Sequence, residues 1–229
     1  MSEKIVFFDI DGTLLRTGGA GQTAIGRALT DEFDITTPFT GVATAGRTDR
    51  GITDEILDRY QIENTEPNRT RFRNAYLKHL PQSLVDSPGC RLPMVAELLD
   101  SLALQGHLIL SVLTGNYADS AWLKLKHFRL DHYFRFGGFG DHHAQRNDVA
   151  RNALEAASRA LQRPVSGAET LIVGDTPADI ECSRAIGARC LAVATGTFTV
   201  DQLAVHRPDA LFADFRNHAE VATSILGLF

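Results

Sequence analysis

The sequence predicts an α/β fold, a doubly wound parallel sheet carrying an all-helical insertion after its first strand, on three observations. Short apolar runs at 5–8, 108–113, 170–173 and 190–194 alternate with amphipathic helical stripes, the pattern of a parallel sheet covered on both faces. Between about 17 and 86 only helical periodicity is found. The 229 residues, 44% of them hydrophobic, suffice for one large domain or a domain plus an insertion.

Residues 5–8 are apolar at every position and stop at Asp9, so the first strand belongs inside the sheet. Over 20–33 the apolar side chains Ala24, Ile25, Ala28, Leu29 and Phe33 form one helical stripe, ended by Pro38 and Gly41. A second stripe covers 49–60 (Ile52, Ile56, Leu57, Tyr60). A third covers 67–85 (Phe72, Ala75, Tyr76, Leu80, Leu84) and closes at Ser87-Pro88-Gly89. This assigns 17–86 to the helical insertion, and 1–16 with 87–229 to the α/β core. The glycine-rich segments 17–21 and 88–89 are expected to act as hinges. A helix at 93–104 is entered by Pro93 and stopped near Gly106. Strands are then expected at 108–113, 133–136, 170–173, 190–194 and 210–212. Helices are expected at 117–128, 148–161, 177–186, 200–205 and 219–226.

Directly after the first strand come Asp9-Ile10-Asp11-Gly12-Thr13. Two carboxylates two positions apart on an extended segment face the same way, and two like charges so placed require a cation or a shared proton. Gly12 permits a sharp turn, and Thr13 adds a hydroxyl. In an open parallel sheet, ligands bind beyond the carboxyl ends of the strands, so the other strand ends are the places to search. Strand 108–113 runs into Thr114-Gly115-Asn116, where a hydroxyl and N–H groups ahead of a helix offer an anion site. Asn116 as a simple N-cap is the competing reading. Strand 170–173 runs into Gly174-Asp175-Thr176-Pro177-Ala178-Asp179. Asp179 suits a capping box, a duty compatible with metal binding, whereas Asp175 has no capping role. With Asp9 and Asp11 it would place three carboxylates in one crevice, a hard oxygen set suited to Mg²⁺. Arg146, expected in a loop just ahead of a helix start near Asp148, opposes the helix dipole there and so points to an anion between them. Arg151 is the rival basic residue.

Taken in order, Asp9-Ile10-Asp11-Gly12-Thr13, Thr114, Arg146 and Gly174-Asp175 with Asp179 resemble the four motifs of the haloacid dehalogenase superfamily. Its phosphoglycolate phosphatase-like, C1-capped members are the nearest in pattern. The resemblance spans the whole chain and implies a Rossmann-like core with residues 17–86 as a cap. The sequence departs from the family pattern at Arg146-Asn147, where Lys-Pro is usual, and at Gly115 after the Thr motif. The resemblance implies a Mg²⁺-dependent phosphatase of a small phosphorylated metabolite (phosphoglycolate-like, sugar phosphate or nucleotide). In it Asp9 would be the nucleophile, forming an aspartyl-phosphate, and Asp11 the general acid and base. Mg²⁺ would be held by Asp9, the Asp11 carbonyl and Asp175, with Asp179 binding directly or through water. Thr114, Gly115, Asn116 and Arg146 would hold the phosphate oxygens. A carboxylate at Asp11 also favours C–O–P substrates over C–Cl or C–P, since the superfamily's dehalogenases and phosphonatases lack it. A phosphomutase of the same superfamily is the alternative, and a phospho-accepting signalling receiver a more remote one.

A net charge of −5, with no basic run longer than two residues, argues against nucleic acid or an anionic membrane as partner. No apolar stretch is long enough to span a bilayer, and the segment Met1-Ser2-Glu3-Lys4 does not read as a secretory leader. Three widely spaced cysteines suit reduced thiols. A cytoplasmic monomer or homodimer is therefore expected, its partner the small phosphorylated substrate. Arg47, after Ala45-Gly46, is read either as a ligand for a substrate anion or as a solvated arginine beside the capping Thr48 or Asp49. The adjacent His142 and His143 point apart and are read as a surface loop.

Overall fold

The computed structural model describes residues 3–229; Met1 and Ser2 of the N-terminal segment lie outside them. Six parallel strands form the main sheet, in the order β5(Gly137–Gly138), β4(Leu108–Leu113), β1(Lys4–Phe8), β6(Thr170–Gly174), β7(Arg189–Val193) and β8(Ala210–Phe212). The largely buried strands β4, β1 and β6 lie centrally, as expected for strands covered on both faces. One face packs Val6, Phe8, Leu110, Val112, Leu171 and Val173 against α4(Val95–Ala103), α5(Ala118–His127) and α9(His218–Gly227). The other packs Ile5, Phe7, Ile109, Leu113 and Ile172 against α6(Arg146–Leu161) and α7(Pro177–Ile186). A short helix, α8(Val200–Ala204), lies between β7 and β8.

The insertion comprises α1(Ala20–Phe33), α2(Asp49–Arg59) and α3(Glu66–Asp86). Its predicted stripes close on each other around their own apolar cluster, including Ala24, Leu29, Ile56, Phe72, Tyr76 and Leu80. Its two ends are tied by a feature that periodicity does not signal. β2(Leu15–Arg16) pairs antiparallel with β3(Cys90–Arg91), Leu15 opposite Arg91 and Arg16 opposite Cys90, so the chain leaves and re-enters the core at one point.

Two expectations are corrected. The short strand placed at 133–136 is a 3₁₀ turn over Asp131–Tyr133 followed by β5 at Gly137–Gly138, because the glycines let the strand lie close to β4 and α6. Helix α6 begins at Arg146 itself, two residues earlier than its apolar stripe suggests.

β1 determines where the chemistry gathers. It pairs with β4 on one side (Phe8 opposite Val112) and with β6 on the other (Phe8 opposite Val173). The carboxyl ends of β1, β4 and β6 are therefore neighbours, and the crevice above them is the point where the winding of the sheet reverses.

Candidate active site

A cavity of about 360 Å³ opens over these strand ends, with Asp9, Asp11, Thr114, Arg146 and Asp175 on the core side. Ile25, Arg47, Asp49, Ile52 and Tyr76 of the insertion face them. Asp9 continues β1, its N–H donating to Val173 O at 2.9 Å. The chain then folds back on itself. The N–H groups of Leu14 and Leu15 donate to Ile10 O (2.9 and 3.1 Å), and that of Gly12 donates to Leu15 O (2.9 Å). Gly12 adopts φ +88°, and a Cβ there would stand 2.5 Å from Asp175 Oδ2, so the turn requires glycine both for its backbone and for space. Thr13 Oγ1 donates to Asp175 Oδ1 at 2.8 Å. The hydroxyl of the first motif thus orients the acid of the last.

Asp9, Asp175 and Asp179 are all buried, and their oxygens lie within 4.8 Å of one another. Asp179 performs the predicted capping: its Oδ2 accepts from Thr176 N–H (3.1 Å) and from Thr176 Oγ1 (2.8 Å). Its Oδ1 accepts from Arg146 Nη2 at 2.6 Å. The same Nη2 lies 3.0 Å from Asp9 Oδ1 and donates to Leu113 O at 3.0 Å. Arg146 is therefore the basic group of the cluster, while Arg151 is exposed and pairs with Asp148. It reaches the site from the first turn of α6 rather than from a loop. Asp9 at the end of β1 and Asp179 in the first turn of α7 supply the anions that its place beside a helix N-terminus calls for.

One guanidinium does not neutralise three buried carboxylates. Burial, together with the charge of Asp179, pushes the Asp9 carboxyl up to about 6 against the opposing pull of Arg146. Burial and the charges of Asp9 and Asp179 hold the Asp175 carboxyl well above the usual range. Burial works against the charge of Arg146, but Asp9 and Asp179 outweigh it and keep the guanidinium protonated. Neither Asp9 Oδ2 nor Asp175 Oδ2 has a hydrogen-bond donor among the described residues. The donor set is all oxygen, anionic and short of positive charge, which fits a hard divalent cation such as Mg²⁺.

The loop after β4 forms the other wall. Asn116 is not an N-cap. Its Nδ2 donates to Thr114 Oγ1 (2.7 Å) and to Asp11 Oδ2 (2.8 Å), and its Oδ1 accepts from Lys124 Nζ at 2.5 Å. The first N–H groups of α5 are satisfied from elsewhere: Tyr117 N–H by Asp49 Oδ2 and Ala118 N–H by Asp141 Oδ2, both at 2.8 Å. Asp49 also donates its N–H to Gly115 O at 2.7 Å. A Cβ at Gly115 would overlap the Arg47 carbonyl, so glycine is needed here for the start of α2 to come down onto the core. Arg47 borders the cavity, but its guanidinium is turned to Glu55, Ala43 O (3.0 Å) and Gly51 O (3.2 Å). His142 is exposed and His143 half-buried in the loop before α6.

Lys124 is the site residue that motif spacing misses. It is 5% exposed and its Nζ lies 2.6 Å from Asp11 Oδ2. Helical spacing carries the signal: Tyr117, Ala121, Lys124 and Phe128 fall on one stripe, which puts an ammonium on the inward face of α5.

The comparisons with known proteins agree with this architecture. Over 230 residues the chain is 29% identical to "Probable phosphatase IndB" of Dickeya dadantii, covering 99% of this chain and 96% of that protein. The crystal structure of a "predicted phosphoglycolate phosphatase" from Haemophilus somnus superposes with a TM-score of 0.72 at 22% identity, covering 96% of this chain and 98% of that one. CbbY from Rhodobacter sphaeroides, solved in complex with phosphate, superposes with a TM-score of 0.64 at 16% identity, covering 93% and 95%. At these identities the two structures speak for the fold alone. The model of the family described as haloacid dehalogenase-like hydrolase matches residues 6–193, and with the parallel core and the ordered strand-end residues in place, the chain belongs to that family of hydrolases.

Proposed function

We propose that the chain is a Mg²⁺-dependent phosphatase that cleaves a small phosphorylated metabolite through an aspartyl-phosphate on Asp9. The observation that carries this reading is the placement of Asp9 and Asp11 together on the floor of one cavity, with Thr114 and Arg146 on its wall. Asp9, the Asp11 carbonyl and Asp175 would hold the cation, and Asp179, whose two oxygens are already engaged, would act through water. Bound there, the cation supplies charge neutralisation for the phosphoryl oxygens and for Asp9.

Asp9 attacks phosphorus as the bond to the leaving oxygen breaks, and Asp11 gives that oxygen its proton. Asp11 then takes a proton from water as the water oxygen attacks phosphorus. Cleavage of the bond to Asp9 releases inorganic phosphate and restores the carboxylate. Thr114 Oγ1, the Gly115 N–H and Arg146 would face the non-bridging oxygens, and the Asn116 N–H, which donates to Thr114 Oγ1 at 3.3 Å, would join them by exchanging that bond. Residues 17–86 act as a cap that excludes water and selects the leaving group. Direct contact of Arg47 with a substrate anion requires the exchange of its Glu55 partner for that anion. The exposed Cys90 and the buried Cys182 and Cys190 are unpaired thiols, which supports a reducing, cytoplasmic setting. Among the described residues no helix is long and apolar enough to cross a membrane.

The test is phosphate release from a panel of phosphoglycolate, sugar phosphates, nucleotides and pyrophosphate, with Mg²⁺ and with EDTA. Release from at least one compound only with Mg²⁺ is the expected result. Isomerised sugar phosphate without free phosphate would transfer the assignment to a mutase, and a long-lived phospho-Asp9 without turnover to a signalling receiver.

The acid cluster has a further consequence for the metal-free protein. Asp9 titrates near 6 in the folded chain and near 3.8 without its surroundings, so between these values the folded state binds more protons than the unfolded one. Stability then falls as pH rises through that window, and the raised Asp175 acts in the same direction. In EDTA the melting temperature is expected to be lower at pH 7.5 than at pH 5.5, and Mg²⁺ is expected to abolish most of that difference. Melting curves at the two pH values, with and without the ion, check both statements. Equal melting temperatures in EDTA would contradict the electrostatics described above.

A further inference from the structure

We infer that Lys124 is a positioning residue for Asp11, holding one carboxylate oxygen of the general acid and base so that the other is presented to the cavity. The inference rests on the phosphatase reading and deepens it. An ammonium as buried as Lys124 requires partners for its charge, and it has two: Asp11 Oδ2 at 2.6 Å and Asn116 Oδ1 at 2.5 Å. Asn116 closes the triangle by donating from Nδ2 to the same Asp11 Oδ2. Because lysine can only donate, the amide orientation follows: Oδ1 faces Lys124, and Nδ2 faces Asp11 and Thr114. Every donor that reaches the Asp11 carboxyl therefore meets Oδ2, and Oδ1 accepts no hydrogen bond among the described residues.

Without this clamp Asp11 would be loosely held. Its side chain is 41% exposed and it lies within the tight turn from Ile10 to Leu15, which fixes the backbone but not the carboxyl. Lys124 issues from the last turn of α5, a helix packed on the sheet, so the clamp is anchored in the core rather than in a loop. Displacement of a catalytic group by about 1 Å can cost about 100-fold in rate, which sets the size of the expected effect.

The experiment uses the full chain with Mg²⁺ and compares two leaving groups, p-nitrophenolate, which departs without a proton, and the best alkyl phosphate from the panel above. In Lys124→Met a misplaced acid is expected to lower kcat for the alkyl phosphate about 100-fold, with KM within about threefold. The initial burst of p-nitrophenol should stay within about threefold of wild type, since formation of the phospho-enzyme then needs no acid. Lys124→Arg, which keeps the charge, is expected to recover at least about tenfold of the alkyl loss. Should Lys124→Met fail to fold, Lys124→Gln carries the same comparison, because it keeps a donor without the charge. Equal losses for both leaving groups, or full activity toward the alkyl phosphate, overturn the role of Lys124. Wild-type enzyme that releases phosphate from no compound overturns the phosphatase reading instead.

Discussion

Asp9→Asn is expected to reduce phosphate release on the order of 10⁴-fold or more while raising the melting temperature of the metal-free protein. The two effects have one origin. In the proposed mechanism Asp9 attacks a phosphorus held by Thr114 and Arg146, and a carboxamide does not form the phospho-enzyme. The same carboxylate is buried against Asp179 and Asp175 with Arg146 as the shared cation, and burial first, then the charge of Asp179, pushes it up to about 6. Removing its charge leaves two acids around one guanidinium, and Arg146 keeps its shorter contact to Asp179 at 2.6 Å. Phosphate release and thermal melting in EDTA measure the two halves separately. Unchanged turnover in Asp9→Asn would remove the nucleophile assignment, and a lower melting temperature would mean that Asp9 stabilises the cluster instead of straining it.

Much of this arrangement was readable from residue order, for identifiable reasons. Strands 108–113 and 210–212 and helices 20–33 and 177–186 fall where the periodicity places them, because buried strands and one-sided helices leave different periods in the sequence. Asp9, Asp11, Thr114, Arg146, Asp175 and Asp179 stand at strand ends or helix starts, and a parallel sheet brings such positions together whatever their separation along the chain. What was missed depends on side-chain reach. Lys124 acts seven residues into α5 through a long side chain; Asn116 was expected at the site for its backbone N–H, but not for its side chain, which is turned inward by that lysine and by Asp11. The β2–β3 pair is two residues long on each side, too short to leave a period. Thr195 was invisible for a similar reason. It follows β7 and closes the first-motif turn with a hydrogen bond from Oγ1 to Gly12 O at 2.6 Å, a contact between residues 183 positions apart.

Arg146→Met is expected to cost about 3–5 kcal/mol of stability at neutral pH in the absence of Mg²⁺, the usual consequence of stripping a buried charge from its partners. Methionine fills much of the space but leaves Asp179 Oδ1 and Leu113 O without the donor that now reaches both. Asp9, Asp175 and Asp179 then share no cation among the described residues. The loss is expected to be smaller at pH 5, because acids held above their ordinary values take up protons there and their repulsion falls. Asp179→Asn in the same chain is expected to recover part of the loss by removing one of the stranded charges, so the pair behaves non-additively. Arg151→Met is the control: exposed and paired only with Asp148, it is expected to change stability by no more than about 0.5 kcal/mol. Denaturant melts of these three variants, of Asp179→Asn alone and of wild type at pH 5 and 7.5 measure these differences. If Arg146→Met were as stable as wild type at pH 7.5 in EDTA, the three carboxylates would have to be neutralised by something other than this guanidinium, and the fit of the site to a divalent cation would lose its electrostatic basis.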